Sequence, residues 1–413
     1  MRNMPRVYTS FMPNAPILNG VPGAFLDVIK KCLTGGWTPF DVLSIVVANG
    51  KATMTYGSSN TSLPDYCRLI ISGCDEPQLN KDWTIIRGGD TEATFETTVA
   101  DGTYGGSIKA VPENAGWELV FSGTNEAVIK SGNSDGSGTM VKIVDQNATT
   151  ASFDFALDAK SINELIDYAR AYDNVERVVL KSRNADPSHF RGWWIVCDNS
   201  TVYICTDMFT PGGSIQHSRP MLQGGRLSWF GDYISSNKQD NEAFGGYFQP
   251  LGTGATANNL NYGNASPQWS GVWSEDWNTG RPVIRLNQSA YGKWYWSIYN
   301  ASPDPTNNTW RLNGSTSNLD IGYVSSVEKA NRRVPIYGRV SGPGSALSCF
   351  GHLAGYRYSD YHIRAIFMPF TSSKDEDGVA YLYAPMDHSN RDNNAYNETY
   401  CMAPFVINRK WDE

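Results

Sequence analysis

The stretch from Arg191 to Phe209, RGWWIVCDNSTVYICTDMF, constrains the fold of this 413-residue chain more than any other. Two apolar runs, Trp193–Cys197 and Val202–Cys205, flank the turn-forming cluster Asp198-Asn199-Ser200. Apolar runs on either side of a short polar turn predict a β-hairpin. Because both runs are almost wholly apolar, we expect the hairpin to lie in the middle of a packed sheet. The segment Leu227–Ser235 predicts a further strand of the same layer.

The composition indicates a mainly β protein with a weakly charged surface. Charged residues make up 18% of the chain, whereas aromatic residues reach 12% and glycine numbers 39. In average proteins roughly a quarter of the residues are charged. Protein interfaces are poor in Lys, Glu and Asp and rich in Tyr and Trp. We therefore expect a turn-rich β protein that makes large, lasting contacts with other proteins.

The first two of three predicted regions are an N-terminal arm with a short helix, over residues 1–36, and a small β module, over residues 37–112. The first 22 residues are rich in Pro and Asn and predict an extended arm that needs a partner or the body to lie on. Apolar residues at helical spacing between Gly23 and Thr34 predict the helix. Six short predicted strands, with a hairpin signal at Asn49-Gly50, indicate a small barrel or sandwich module.

Residues 113–413 predict a larger β-sandwich-like domain that contains a second short helix. Ser161-Ile162-Asn163-Glu164 has the spacing of a capping box, in which the first and last side chains cap a helix N-terminus. The apolar residues of its predicted face are Ile162, Leu165, Ile166 and Ala169. Asn/Trp-rich loops are predicted over 236–320. The predicted fold class is thus mainly β with two short helices, in a small N-terminal module and a larger sandwich-like domain.

Charge and hydropathy argue against two classes of partner. The net charge of −7, without a basic patch that carries interleaved aromatics, predicts no binding to nucleic acid. The sequence contains no run of 18 apolar residues, so we expect no membrane span. The first 16 residues also lack the apolar core of a signal peptide, so we expect synthesis in a cytoplasm.

We predict no catalytic, cofactor-binding or metal-binding residue, and a protein that is not an enzyme. The seven cysteines form no CxxC pair, and buried free thiols are the preferred interpretation. A triad from His217 and Asp198 can be drawn, but no nucleophile-elbow motif supports it. The P-loop and the dinucleotide fingerprint are absent from the sequence. Asp375-Glu376-Asp377-Gly378 resembles part of a calcium loop, yet lacks its ligand spacing and predicts a solvated turn.

One segment carries the residue types of a glycan contact. Aromatic platforms beside acids suit sugars, and paired carboxylates on a sugar are the groups that a glycosidase uses. The preferred interpretation is that these are solvated loop acids beside packing tryptophans. The candidate contact residues are Trp269, Trp273, Glu275, Asp276 and Trp277.

Nine short motifs follow one another along the chain, namely Ala15–Gly23, Cys32–Gly36, Val46–Thr53, Ile71-Ser72-Gly73, Ala115-Gly116-Trp117, Phe121–Asn125, Trp194–Asp198, Val202-Tyr203 and Phe230-Gly231-Asp232. Their order resembles a family of virion structural proteins from tailed bacteriophages, often described as tail-associated. The resemblance covers most of 14–235, with Phe350–Gly355 as a further match, and leaves 236–320 unmatched. It implies a place in a particle and supplies no catalytic residues.

Three hypotheses follow for the function. The leading one is a structural component of a tailed-phage virion, in the tail, baseplate, collar or an appendage, whose partners are copies of itself and other virion proteins. The alternative is a virion adhesin that binds a host receptor or surface glycan, for which Trp273→Ala and Trp277→Ala should abolish glycan binding. The least favoured is a polysaccharide-degrading enzyme that uses Glu275 and Asp276. The expected location is the virion, after synthesis in the host bacterial cytoplasm.

Overall fold

The structure is a computed structural model, and it is mainly β. It describes residues 1–57, 61–168, 178–182, 185, 187–188, 190–208, 226–235, 243–247, 283–285, 294–296, 299–304, 309–312, 333–338, 348–357, 370–385 and 402–412. Within these ranges the chain forms one α-helix, one 3-10 turn at Pro77–Leu79 and strands in three sheets. The predicted mainly β class is confirmed.

The N-terminal arm lies on the body of the protein. Strand β1 (Arg6–Thr9) pairs antiparallel with the first strand of the central hairpin, where Val7 is opposite Val196. All four residues of β1 are buried. Of the two predicted supports for the arm, the body is the one that the structure shows.

Helix α1 (Ala24–Leu33) follows the arm and agrees with the predicted helix. Its side chains at helical spacing are buried in the core, which accounts for the apolar stripe in the sequence. The chain leaves the helix through Gly35, whose φ of 117° favours glycine. No helix in the described ranges has the length and apolarity that a membrane span needs. The buried residues of α1 are Phe25, Leu26, Val28, Ile29, Cys32 and Leu33.

The predicted small β module forms a sheet of seven strands within the described ranges. The hairpin predicted at Asn49-Gly50 is confirmed, with φ values of 53° and 73° at the two turn residues. Positive φ at both positions is the property that makes Asn-Gly a hairpin turn. The strands are β2 (Phe40–Ala48), β3 (Lys51–Tyr56), β4 (Arg68–Cys74), β5 (Asp82–Thr84), β6 (Glu92–Glu96), β7 (Gly102–Tyr104) and β8 (Gly106–Pro112).

A second sheet follows, with the order β13-β12-β11-β10-β9 and β14 beside β12. One face of it packs into the main core through residues such as Ile129, Ile143 and Phe153. The strands are β9 (Glu118–Gly123), β10 (Glu126–Lys130), β11 (Met140–Val144), β12 (Thr150–Ser161), β13 (Glu164–Tyr168) and β14 (Val178–Leu180).

The prediction of a second helix is wrong, because Ser161–Glu164 forms the turn of the β12–β13 hairpin. Ser161 pairs with Glu164, and the Ser161 hydroxyl accepts a hydrogen bond from the Asn163 N–H at 3.3 Å. The same Ser-x-x-Glu spacing therefore caps a turn instead of a helix. Ile162 and Leu165 pack on a small apolar cluster with Val128. This burial across the sheet favours the strand, and local spacing does not contain that information. Ala169 lies outside the described residues.

In the described ranges, fourteen strands join into the largest sheet. Besides β1 they are β15 (Gly192–Cys197), β16 (Thr201–Met208), β17 (Arg226–Ser235), β18 (Ala243–Tyr247), β19 (Val283–Arg285), β20 (Trp294–Trp296), β21 (Tyr299–Asp304), β22 (Thr309–Leu312), β23 (Arg333–Gly338), β24 (Ser348–Arg357), β25 (Ser372–Lys374), β26 (Ala380–Pro385) and β27 (Met402–Val406). The main strand order is β1-β15-β16-β17-β24-β23-β21-β22. Strands β18, β19 and β20 continue from β17, and β27, β26 and β25 continue from β24. Five of the short strands, β18 to β22, fall within 236–320.

The central hairpin β15–β16 lies between two apolar cores, as its unbroken hydrophobicity predicted. Trp193 and Ile195 point into the main core, together with α1 and the first two sheets. Trp194 and Tyr203 point into the second core, which is built mainly from β17, β24, β26 and β27. Successive residues of a strand face opposite sides. Both faces of β15 are therefore covered, which accounts for its unbroken apolar run from Trp193 to Cys197.

Candidate functional site

The tip of the central hairpin is a buried polar turn. Asp198 Oδ1 accepts hydrogen bonds from the N–H groups of Ser200 and Thr201, each at 2.7 Å. The turn is closed further by the Asp198 N–H, which donates to the Thr201 carbonyl at 3.0 Å. Asp198 is thus the turn former that the sequence predicted, and its side chain is fully buried.

Arg2 binds the second oxygen of that carboxylate. Its Nη1 donates to Asp198 Oδ2 at 2.8 Å and to Thr201 Oγ1 at 2.9 Å, and its Nη2 donates to the Asp232 carbonyl at 2.5 Å. Both charged side chains are 0% exposed. A buried ion pair tolerates the loss of water only when further hydrogen bonds satisfy both partners. The planar guanidinium supplies the several donors that this arrangement needs.

A ring of polar contacts joins distant parts of the chain around this pair, and we name Arg2, Asp198, Asn199, Ser200, Thr201 and Asp232 the hairpin-tip cluster. The Asn199 side chain binds the arm, since its Oδ1 accepts from the Asn3 N–H at 2.8 Å. The indole N–H of Trp117 donates to the Asp198 carbonyl at 2.9 Å. Ser137 Oγ donates to Asp232 Oδ1 at 2.5 Å. The cluster thus connects the arm, the second sheet and two strands of the largest sheet.

The chemistry of the hairpin-tip cluster is that of a clamp. An arginine side chain stays protonated in proteins, so Arg2 cannot act as a general base. Asp198 already accepts from Arg2 and from two backbone N–H groups. The Ser131 and Ser200 hydroxyls lie 3.4 Å apart, but the cluster contains no histidine that would take a proton from either. The groups therefore hold distant segments of the chain together.

A second buried ion pair caps helix α1. Asp145 Oδ2 accepts from the N–H groups of Phe25 and Leu26, at 2.8 and 3.1 Å. Its Oδ1 lies 2.5 Å from Lys181 Nζ, which also donates to the Val21 carbonyl at 2.8 Å. Both side chains of the pair are 0% exposed. A carboxylate at a helix N-terminus satisfies unpaired N–H groups and is stabilised by the helix dipole.

Burial dominates the protonation of the core groups. It raises the pKa of Asp145, and Lys181 with the two helix N–H groups acts in the opposite direction. Burial also raises the pKa values of the Cys32 and Cys197 thiols well above their usual range. Reactive cysteines have a lowered pKa and are partly exposed, so these two thiols are inert.

The prediction of buried free thiols is confirmed for the five cysteines whose side chains the structure describes. They lie in the helix, in the small module and in the central hairpin, where each behaves as a small apolar side chain. The five are Cys32, Cys67, Cys74, Cys197 and Cys205.

The glycan candidates Trp269, Trp273, Glu275, Asp276 and Trp277 all lie outside the described residues, as does His217. The acidic loop that begins at Asp375 is described and forms a turn. Asp375 Oδ1 accepts from the Val379 N–H at 2.8 Å. In the part of the chain that the structure describes, no three His, Cys, Asp or Glu residues are grouped as metal ligands would be.

Asp198-Asn199-Ser200 was predicted only as a turn, and the contacts that Arg2 and Asp232 make with it were missed at the level of sequence. Arg2 lies in a polar arm and pairs with a residue 196 positions further along the chain. One signal was available, since an Asp in a turn between two wholly apolar strands requires a partner once the turn is buried.

No protein-family model matches this chain, and no curated protein has a significantly similar sequence.

Proposed function

We propose that the chain is a structural component of a tailed-phage virion, in the tail, baseplate, collar or an appendage, and that it acts through contacts between subunits. Its partners are then copies of itself and other virion proteins, and its location is the particle. The proposal starts from the resemblance of the motif order to virion structural proteins.

The observation that carries the proposal is where these motifs lie in the fold. Trp117 donates to the Asp198 carbonyl, and Asp232 follows Gly231 in the strand that meets the hairpin tip. Gly231 has a φ of 127°, and an added Cβ would lie 2.1 Å from the Ser200 carbonyl oxygen. Three of the nine motifs, Ala115–Trp117, Trp194–Asp198 and Phe230–Asp232, therefore meet at the hairpin-tip cluster. A family defined by such motifs shares a scaffold, which is what a particle component needs.

The use of charge supports the same proposal. The two buried ion pairs, Arg2–Asp198 and Lys181–Asp145, bind together segments that are far apart in the chain. Their hydrogen bonds go to the protein itself. These four charged side chains thus hold the fold together, and the weakly charged, aromatic-rich composition suits permanent protein contacts.

The experiment is protein mass spectrometry of phage particles purified on a density gradient, compared with the lysate of infected cells. We expect peptides of this chain in the particle fraction, at a constant ratio to a known structural protein of the same particle across the gradient. An electron-microscopy map of the particle then gives the position of the chain. Recovery of the chain in the lysate alone, with none in the particle peak, would overturn the proposal.

A further inference from the structure

Strand β1 occupies a special place in the largest sheet, since it stands at the end of the main strand order. Its ladder runs along β15 from Arg6 opposite Cys197 to Thr9 opposite Trp194. An end strand can leave a sheet without breaking the pairing of the remaining strands. It leaves behind a row of backbone groups that an extended segment of matching chemistry can pair with.

We propose that residues 1–12 form an exchangeable strand, which a second copy of this chain can supply. We call the place beside β15 that this strand occupies the seat of the arm. The inference deepens the proposed function and rests on it in one respect, namely that copies of the chain meet. It names the segment that one subunit gives to another.

The seat holds the arm through contacts with the body. Arg2 enters the hairpin-tip cluster, and the Tyr8 hydroxyl donates to the Glu113 carbonyl at 2.5 Å. The Ser62 N–H donates to the Phe11 carbonyl at 2.7 Å, and the Phe11 ring packs edge-on against Phe370, with ring centroids 5.1 Å apart. These contacts depend on the chemistry of the segment. The same segment of a second copy presents identical groups.

The connection from the arm to helix α1 has the composition of a hinge. It carries Pro13 and Pro16, and Asn14 has a φ of 54°. Asn14 and Ile17 are exposed, whereas Pro13, Pro16 and Leu18 are buried. The Pro13 and Pro16 carbonyls accept hydrogen bonds from the indole N–H groups of Trp37 and Trp193, and the exchange has to give up these contacts. The ten residues from 13 to 22 span at most about 33–36 Å when extended.

Exchange replaces each contact of residues 1–12 by an identical one and gives up contacts of residues 13–22 with their own body. The balance therefore depends on this hinge and on the concentration of the chain. Exchange of an identical element between copies is a low-cost route to an oligomer. A high local concentration, as in a growing assembly, favours the exchanged form by mass action.

The experiment separates exchange from folding within one chain by two single variants, Val7→Cys and Val196→Cys. These residues face each other across β1 and β15, and both are buried. The Ser10 N–H donates to the Trp193 carbonyl, so alternation makes Val7 and Val196 a pair without mutual hydrogen bonds. The two Cα atoms of such a pair lie about 4.5 Å apart, which suits a disulfide.

The two full-length variants are unfolded in urea, mixed, refolded together at increasing concentration and then oxidised. On a non-reducing gel we expect a band at about twice the 45.6 kDa mass of the chain, and its share should increase with the protein concentration during refolding. Mass spectrometry should find the peptides of residues 7 and 196 joined. Reduction should remove the band.

The controls make each outcome decisive. Each single variant refolded alone should stay at the mass of one chain, and the double variant Val7→Cys/Val196→Cys should form the disulfide within one chain. A mixture without the joined dimer at every concentration, while the double variant closes internally, overturns the exchange. A double variant that does not close refutes the β1–β15 register and overturns it as well. Either result leaves the particle experiment unaffected, since copies can meet through other surfaces.

Discussion

Arg2 and Asp198 form a fully buried ion pair of 2.8 Å although 196 positions separate them in the chain. The pair fixes the N-terminal arm to the tip of the hairpin that separates the two cores. Removal of one member of a buried pair leaves an uncompensated charge and costs about 3–5 kcal/mol. Arg2→Met should therefore lower the free energy of unfolding by about this amount, as measured by urea denaturation.

The double variant Arg2→Met/Asp198→Asn is the control for this prediction. An asparagine oxygen can still accept from the N–H groups of Ser200 and Thr201, but it carries no charge. We expect the double variant to recover part of the lost stability. A loss below about 1 kcal/mol for Arg2→Met, the level of a surface pair, would contradict a seated arm.

The pair that caps helix α1 should respond in the same way. Lys181→Met leaves the Asp145 carboxylate buried without its cation and should cost about 3–5 kcal/mol. The matched control is Lys31→Met, which removes a partly exposed helix pair with Asp27 and should cost about 0.5 kcal/mol or less. Equal losses for the two variants in urea denaturation would show that Lys181 is not buried in its pair.

Gly231 should tolerate no side chain. Its φ of 127° is unfavourable for other residues, and an added Cβ would lie 2.1 Å from the Ser200 carbonyl oxygen. Gly231→Ala should lose more than about 4 kcal/mol or fail to fold. Gly138→Ala is the control, since Gly138 has a φ of 72° with nothing within 4 Å of the added atom. It should lose about 1–2 kcal/mol. Thermal unfolding of the two variants measures the difference.

Stability should decrease at alkaline pH. Burial raises the pKa values of Cys32, Cys197, Tyr8 and Tyr203 well above their usual 9.0 and 10.0. The folded chain then keeps protons that the unfolded chain releases. The free energy of unfolding therefore has its full value below pH 9 and decreases as the pH rises. The first decrease comes from the thiol protons that the unfolded chain releases, and above pH 10 the phenol protons add to it. Each group adds a slope of about 1.4 kcal/mol per pH unit.

Urea denaturation between pH 8 and 11 measures this slope. Tyr8→Phe and Tyr203→Phe should each reduce the slope above pH 10 by the contribution of one titrating group. Ile129→Val lowers the stability of the same core without a titrating group, and it should leave the slope as it is. A Tyr8→Phe variant with the slope of the parent chain would contradict the burial of that hydroxyl.

Local signals predicted the elements whose causes are local. Asn49-Gly50 fixed a hairpin because both turn residues adopt positive φ. The apolar stripe of α1 faces the core, as its spacing indicated. The two apolar runs of the central hairpin predicted a pair of strands in the middle of a packed sheet.

The wrong and the missed predictions concern places where contacts between residues far apart in the chain determine the structure. Ser161–Glu164 satisfies a helix cap and a hairpin turn equally well by its spacing, and the packing of Ile162 beside Gly123 and the small apolar cluster selects the turn. Arg2 had no local signal at all, because its partners are Asp198, Thr201 and Asp232. The glycan prediction for Trp273 and its neighbours stays a prediction.

The separation of Arg2 from Asp198 also sets a waiting time during synthesis. A ribosome adds about 5–20 residues per second, so the 196 intervening positions take on the order of 10–40 s. Throughout that interval Val7, Tyr8 and Phe11 have been made, but the strand β15 that will bury them has not. On a polysome, neighbouring chains that have been extended further already contain β15. The order in which the chain is made thus leaves each arm without its own pairing strand while such chains are close by.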